Sequence, residues 1–142
     1  MSALSLHPAA IQPLPRAFPL MAHRVRAGFP SPAGDYVERR IDLNRELIQH
    51  PEATFFLRAQ GSSMVDAGIS DGDTLIVDRA IAAQHDHIVI ATVDGEFTVK
   101  RLYRRGEQVM LLAENPDFPP IELSDGQEMA IWGVVTHIIK KA

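Results

Sequence analysis

Cysteine is absent from the sequence, which excludes disulfide bonds, thiol catalysis and zinc–thiolate sites. No apolar run approaches the roughly 20 residues that a membrane-spanning helix needs. Positive charge is scarce as well, because 14 Lys and Arg residues stand against 18 Asp and Glu residues and give a net charge of −4. This balance argues against a nucleic-acid-binding protein that works by bulk charge. We therefore expect a cytoplasmic protein without a membrane anchor and without direct sequence-specific DNA binding.

Acidic residues are missing from the first 34 residues, whose charges are Arg16, Arg24 and Arg26. Proline is concentrated there instead, since the segment holds six of the ten prolines. Because proline fixes φ and removes a backbone donor, the segment cannot form a long helix or a central strand. The prolines also interrupt the apolar stretch that a secretory signal peptide would need. We assign residues 1–34 to an extended, exposed arm and residues 35–142 to one folded domain.

The folded domain is predicted to be mostly β with one or two short helices. Its short segments are rich in β-branched or aromatic residues and are bounded by turn signals. The predicted strands cover 36–41, 54–59, 74–78, 87–93, 96–103, 108–113 and 131–139. Asp94-Gly95 predicts a tight hairpin between two of these strands, and Arg105-Gly106 predicts a second hairpin.

One short helix is predicted over residues 43–49. Asp42 is a typical N-cap residue, and Pro51 prevents the helix from continuing. Helical spacing places Leu43, Leu47 and Ile48 on one face.

The stretch Gly61-Ser62-Ser63-Met64 is the first candidate for chemistry. It follows the strand predicted over 54–59, and a serine just after a glycine break can present its Oγ beyond the sheet. Gly-Ser-Ser is also ordinary turn chemistry, so the stretch alone does not distinguish a nucleophile from a turn.

Lys100 is the second candidate, because it lies within an apolar predicted strand. Strand alternation places it on one face with Glu96 and Thr98. One interpretation is a lysine whose stem follows the sheet while its amine reaches water. The other is a base for a serine nucleophile, since burial among Phe97, Val99 and neighbouring Ile and Val strands would favour the neutral amine.

The six histidines do not suggest a triad or a metal site. His85 and His87 flank Asp86, but the sequence nearby offers no third ligand. A solvated turn is the simpler interpretation, and we expect neither a metal nor a cofactor.

With Ala27-Gly28, Gly61-Ser62-Ser63-Met64 and Lys100 taken together, the chain resembles the LexA/UmuD family of self-cleaving serine–lysine peptidases, and its UmuD-like members most. The similarity runs from about Phe18 to the C-terminus. The matching runs are Gly28-Phe29-Pro30-Ser31-Pro32-Ala33, Asp35-Tyr36-Val37-Glu38, Arg40-Ile41-Asp42-Leu43-Asn44, Leu47-Ile48-Gln49-His50-Pro51, Gly68-Ile69-Ser70-Asp71-Gly72-Asp73 and Asp94-Gly95-Glu96-Phe97-Thr98-Val99-Lys100.

The resemblance implies a LexA/signal-peptidase-like β-fold of the β-clip type, with Ser63 as nucleophile and Lys100 as base. It implies cleavage of the chain's own arm between Ala27 and Gly28, stimulated by a RecA filament on single-stranded DNA. The product, residues 28–142, would form a homodimer and join a UmuC-type Y-family DNA polymerase as the error-prone translesion polymerase V of the SOS response. Backbone amides of Ser63 and Met64 are the expected oxyanion donors.

Two departures from the family pattern bear on these expectations. Ser62 stands where UmuD-like proteins usually have an acidic residue, so a second hydroxyl adjoins the nucleophile. Ala27 at the scissile position is the LexA-like choice.

Three alternatives to self-cleavage remain at this stage. One is a LexA-like peptidase acting in trans, and another is a non-cleaving assembly or regulatory subunit. The third is the effector half of a repressor, which would need a DNA-reading helix pair that the proline-rich arm cannot supply.

Overall fold

The computed structural model describes residues 7–8, 16–22, 24–29, 34, 36–122 and 128–142. The chain divides into two compact units, Ala10–Gln49 and Met1–Ala9 with His50–Ala142. The unit that contains most of the predicted arm thus continues to Gln49, and the boundary placed after residue 34 remains a prediction.

Within the described residues, ten strands and one α-helix are formed. The strands are β1 (His7–Pro8), β2 (Phe18–Met21), β3 (Val37–Ile41), β4 (Thr54–Arg58), β5 (Thr74–Asp78), β6 (Ile88–Val93), β7 (Glu96–Arg105), β8 (Gln108–Leu112), β9 (Ile121–Glu122) and β10 (Met129–Ile139), and the helix is α1 (Leu43–Leu47). The prediction of a mostly β chain is confirmed.

The smaller unit consists of the antiparallel pair β2–β3 followed by α1. The predicted cap is confirmed, because Asp42 Oδ1 accepts the Asn44 N–H at 3.0 Å. The helix is shorter than predicted, because α1 ends at Leu47 and Ile48 is its C-cap. Strand β2 was not predicted, and its Pro19 is tolerated because a two-stranded ribbon has edges that need no N–H donor.

The larger unit is one antiparallel sheet with the strand order β1-β4-β5-β10-β6-β7-β8-β9 in its described part. The hairpin between β6 and β7 turns at Asp94 and Gly95, which both have positive φ (49° and 82°), as a type I′ turn requires. The hairpin between β7 and β8 turns at Gly106. Both hairpins were predicted from their turn residues.

The core of the larger unit falls into two buried clusters. One contains Leu57, Met64, Ile69, Leu75, Val77 and Ile90, and the other contains Val89, Ala91, Leu102, Leu111 and Val134. The members come from alternate positions of the strands and from the turn after β4, so the core fixes that turn to the sheet. No helix in the described part of the chain is long and apolar enough to cross a membrane.

Candidate active site

The turn after β4 carries Ser62 and Ser63. Ala59 still pairs with the neighbouring chain segment, because its N–H donates to Asp73 O and its carbonyl accepts from Gly72 N–H, each at 2.8 Å. Gly61 then takes a left-handed conformation (φ 89°), which costs a residue with a side chain more than glycine. The Gly61 N–H donates to Asp71 Oδ1 at 2.7 Å and holds the bend in place.

Met64 anchors the far side of the same turn. Its side chain is 2% exposed and belongs to the first core cluster. Its carbonyl accepts the N–H groups of Ala67 and Ile69 at 3.1 and 3.2 Å, which closes the 3-10 turn Val65–Ala67. Ser63 is therefore held between a hydrogen-bonded bend and a buried side chain.

Lys100 meets Ser63 from the middle of β7. Its Nζ lies 3.0 Å from Ser63 Oγ, although the two residues are 37 positions apart in the sequence. The same nitrogen donates to Thr98 Oγ1 at 3.0 Å and to the Val99 carbonyl at 3.1 Å. Ser62, by contrast, is exposed, and the three hydrogen-bond partners of Lys100 do not include it.

The Lys100 amine is withdrawn from solvent, since the residue is 8% exposed. This burial lowers the pKa of Lys100, because a low-dielectric surrounding penalises the charged amine. The alternative of a lysine that reaches into water does not fit this geometry. Val99 packs against the first core cluster, as expected, whereas Phe97 is 39% exposed and its ring contacts Trp132 edge-on.

An open groove passes over the two side chains. Its walls come from β4, the turn around Ser63, residues 71–75 and the β6–β7 hairpin. Apolar side chains such as Leu57 and Ile90 line it together with the charged Arg58, Asp71 and Glu96. Apolar and charged side chains side by side in one groove suit the binding of a peptide segment.

The family profile described as Peptidase S24-like matches residues 19–136. The chain belongs to the Peptidase S24-like family. This S24 membership confirms both the resemblance to LexA/UmuD proteins and the expected LexA/UmuD β-fold.

Curated relatives agree with the S24 assignment. The chain is 51% identical to protein ImpA of Salmonella typhimurium over 124 residues, which is 87% of this chain and 83% of ImpA. It is 47% identical to protein MucA of Escherichia coli over 122 residues, covering 85% of this chain and 83% of MucA. LexA repressor 1 of Pseudomonas syringae pv. tomato is 44% identical over 119 residues, 83% of this chain but 58% of the repressor. ImpA and MucA are UmuD-like proteins, so these similarities support the resemblance of the chain to the UmuD-like members of the family.

The predicted cleavage site lies in the smaller unit of this S24 chain. Ala27 and Gly28 are exposed and form part of a bend over residues 27–29. A Cβ added at Gly28 would meet no atom within 4 Å, so the backbone there is open. Among the predicted site residues, the structure thus brings Ser63 and Lys100 together in the larger unit.

Two residues beside Ser63 were not predicted. The Glu114 N–H donates to Ser63 O at 2.8 Å, and Asn115 Nδ2 donates to Ser62 O at 2.9 Å. Both belong to the irregular segment after β8, where neither alternation nor a motif marks a function, and 53 residues separate Asn115 from Ser62. Only the folded sheet reveals the proximity.

The two histidines that flank Asp86 are used locally. His85 Nδ1 accepts the Arg104 N–H and His87 Nδ1 accepts the Gln84 N–H, each at 3.1 Å. Within the residues that the structure describes, no group of three or more His, Cys, Asp or Glu side chains is arranged to hold a metal ion.

Proposed function

We propose that this chain is a self-cleaving serine endopeptidase that cuts its own Ala27–Gly28 bond with a Ser63–Lys100 dyad. The observation that supports the proposal most strongly is the 3.0 Å approach of a buried lysine nitrogen to the Ser63 hydroxyl. S24 membership supports the same chemistry, because serine–lysine self-cleavage is the activity that the family resemblance implies.

The hydrogen bonds of Lys100 suit a neutral amine acting as a base. A neutral amine has two N–H groups and one lone pair. Donation to Thr98 Oγ1 and to the Val99 carbonyl uses both N–H groups and leaves the lone pair for the Ser63 O–H. Burial lowers the pKa of Lys100 and so raises the fraction of the amine that is neutral and able to accept that proton.

The reaction then follows the acyl-transfer scheme. Ser63 Oγ attacks the Ala27 carbonyl carbon while Lys100 takes its proton, and the backbone N–H groups of Ser63 and Met64 stabilise the oxyanion. Charged Lys100 returns the proton to the leaving amine of Gly28. Water, deprotonated in turn by Lys100, hydrolyses the ester and frees Ser63.

Tethering makes the substrate effectively concentrated. A well-placed intramolecular group can reach an effective molarity of about 10⁵ M or more, so docking of the arm controls the rate. The arm can come from the same subunit or from a neighbouring one. A small residue such as Ala27 fits beside a nucleophile that is held close to the sheet.

The cellular role that we propose is SOS mutagenesis, which the resemblance to UmuD-like proteins implies. A RecA filament on single-stranded DNA would promote docking of the arm, and the cut product, residues 28–142, would form a homodimer. That dimer would join a UmuC-type Y-family polymerase as the translesion polymerase V in the cytoplasm. Neither a cofactor nor direct sequence-specific DNA binding is required for these steps.

Incubation of the purified chain with RecA, ATP and single-stranded DNA, followed by mass spectrometry, tests the proposal. We expect fragments 1–27 and 28–142 from the parent chain and from Ser62→Ala. Ser63→Ala and Lys100→Ala should each yield only intact chain. If Ser62→Ala alone abolishes cleavage, the nucleophile is Ser62 and not Ser63. If the parent chain stays uncut, the result favours a non-cleaving assembly subunit.

A further inference from the structure

The segment after β8 is joined to the turn that carries Ser63 by a reciprocal backbone bridge. The Glu114 N–H donates to Ser63 O at 2.8 Å, and the Glu114 carbonyl accepts the Asp66 N–H at 2.9 Å. Residues on both sides of Met64 are thereby fixed to one residue of a distant segment. This bridge limits the rotation of the Ser63 backbone and so the position of Oγ.

Asn115 adds a side-chain contact to the same turn. Its Nδ2 donates to Ser62 O at 2.9 Å, while its Oδ1 accepts the Asp117 N–H at 3.0 Å. Both ends of the Asn115 amide are therefore bonded, because the nitrogen must donate to Ser62 O and the oxygen must accept from Asp117 N–H. A carboxylate could keep the second contact but not the first.

An ion pair ties this segment to the strand of the base. Arg101 Nε pairs with Glu114 Oε1, and Arg101 Nη1 donates to the Asp86 carbonyl at 2.7 Å. Arg101 directly follows Lys100 in β7, so a short chain of bonded groups leads from the strand of the amine to the backbone of the serine. The ion pair itself is partly exposed, and we assign the larger effect to the hydrogen bonds.

We infer that Asn115, together with the Glu114 backbone, is a positioning group that sets the Ser63 hydroxyl against Lys100; this inference rests on the proposed serine–lysine chemistry. Asn115 touches no reacting atom. It acts by holding the Ser62 carbonyl, and with it the peptide plane that leads into Ser63. An error of about 1 Å in the placement of a reacting group can lower a rate roughly 100-fold.

Two substitutions at Asn115 separate positioning from other effects. Asn115→Asp retains the shape and the contact with Asp117 but replaces the donor to Ser62 O by an acceptor. Asn115→Leu removes the donor without adding charge. Asn44 is exposed on α1, so Asn44→Asp and Asn44→Leu make the same two exchanges at an exposed asparagine and are the controls.

All full-length variants are measured at the same temperature. This temperature lies below the melting temperature of every variant, so that each is folded. One readout is self-cleavage from pH 7 to 10. The other is labelling by a fluorophosphonate probe, in which Ser63 Oγ forms a bond to phosphorus, fluoride leaves and Lys100 takes the serine proton. We expect both Asn115 variants to react about 10- to 100-fold more slowly than the parent and the Asn44 controls. For Asn115→Leu, the pH at which the rate is half-maximal should stay that of the parent.

Labelling and cleavage by either Asn115 variant within twofold of the parent would overturn the inference. A shifted pH midpoint with an unchanged maximal rate in Asn115→Leu would overturn it too, because the residue would then act on Lys100. The proposed function fails separately, if Ser63→Ala still cuts the Ala27–Gly28 bond. If Ser63→Ala is not cut and the Asn115 variants react at the parent rate, the proposed dyad stands. Only the positioning role of Asn115 is then wrong.

Discussion

Burial of one amine connects catalysis with stability at the residue scale. In the folded chain the pKa of Lys100 lies below its ordinary value of 10.5, which the unfolded chain retains. Between those two pKa values the unfolded state binds more protons, so the free energy of unfolding rises with pH. The charged form of Lys100 thus destabilises the fold at neutral pH.

Lys100→Met should therefore stabilise the chain at pH 7, and its advantage should shrink as the pH rises towards 10.5. Urea unfolding at a series of pH values measures the difference. Both proteins carry Ser63→Ala so that neither is cut during the titration. A difference in the free energy of unfolding that stays constant across this range would contradict a lowered pKa for Lys100.

The rate of self-cleavage should rise as Lys100 loses its proton. As the pH rises, more Lys100 is neutral, and spontaneous cleavage should accelerate to a plateau with a midpoint below 10.5. Quantified fragments after fixed incubation times give the profile. A rate that is flat from pH 7 to 10 would remove Lys100 as the base.

The site could be predicted from the sequence only where a residue type carries its own chemistry. Ser63 follows a glycine break, and Lys100 interrupts an apolar strand, so the sequence alone marks both as candidates. Thr98 and Asn115 carry no such mark, because their roles depend on what the fold places beside Lys100 and Ser62.

At the scale of elements, strands β10 and β5 approach each other closely at Gly133. A Cβ added to Gly133 would lie 2.6 Å from Val77 Cγ1, a distance that requires a shift of packed atoms. Val77 is fully buried, so little space is available for that shift. The strand pair has room for glycine alone at this position.

Gly133→Ala should lower the free energy of unfolding by about 1–3 kcal/mol, the usual cost of overpacking a core. Urea unfolding measures the loss. Val77→Ala removes the clashing methyl groups, and in that background the added methyl at position 133 should cost less than in the parent. An equal cost in both backgrounds would show that the contact with Val77 is not the cause.

Elements were predicted well where turn chemistry and strand composition agree. The strand over 74–78 and the Asp94-Gly95 hairpin have the predicted positions, because each is bounded by residues that force a turn. The short strands β1, β2 and β9 were missed, since segments of two to four residues show no periodicity and pair only through tertiary contacts. Strand β10 begins at Met129, two residues before the predicted start.

For the molecule as a whole, a charged contact joins the C-terminal end of β10 to the loop before β5. Lys140 Nζ pairs with Asp73 Oδ2, 67 residues away in the sequence, and the Ser70 N–H donates to the same carboxylate at 2.7 Å. The hydrogen bond from Lys140, helped by that from Ser70, lowers the pKa of Asp73 below its ordinary value. A carboxylate of this kind stabilises the fold above its unfolded pKa and loses that effect as the pH falls through the folded pKa.

Lys140→Met should thus destabilise the chain at neutral pH, and the difference from the parent should disappear at acid pH once Asp73 is protonated in both. Urea unfolding between pH 7 and pH 2 measures the difference in the free energy of unfolding between Lys140→Met and the parent, with Lys141→Met as the matched control. A loss that persists at the acid end would assign the effect to packing of the lysine stem instead of charge.

The most direct measurement of the central claim is the intact mass of the chain after incubation with RecA, ATP and single-stranded DNA. The account predicts two masses, for residues 1–27 and 28–142, from the parent chain, and one uncut mass from Ser63→Ala and from Lys100→Ala. Cleavage at another bond, or cleavage that survives either substitution, would contradict it.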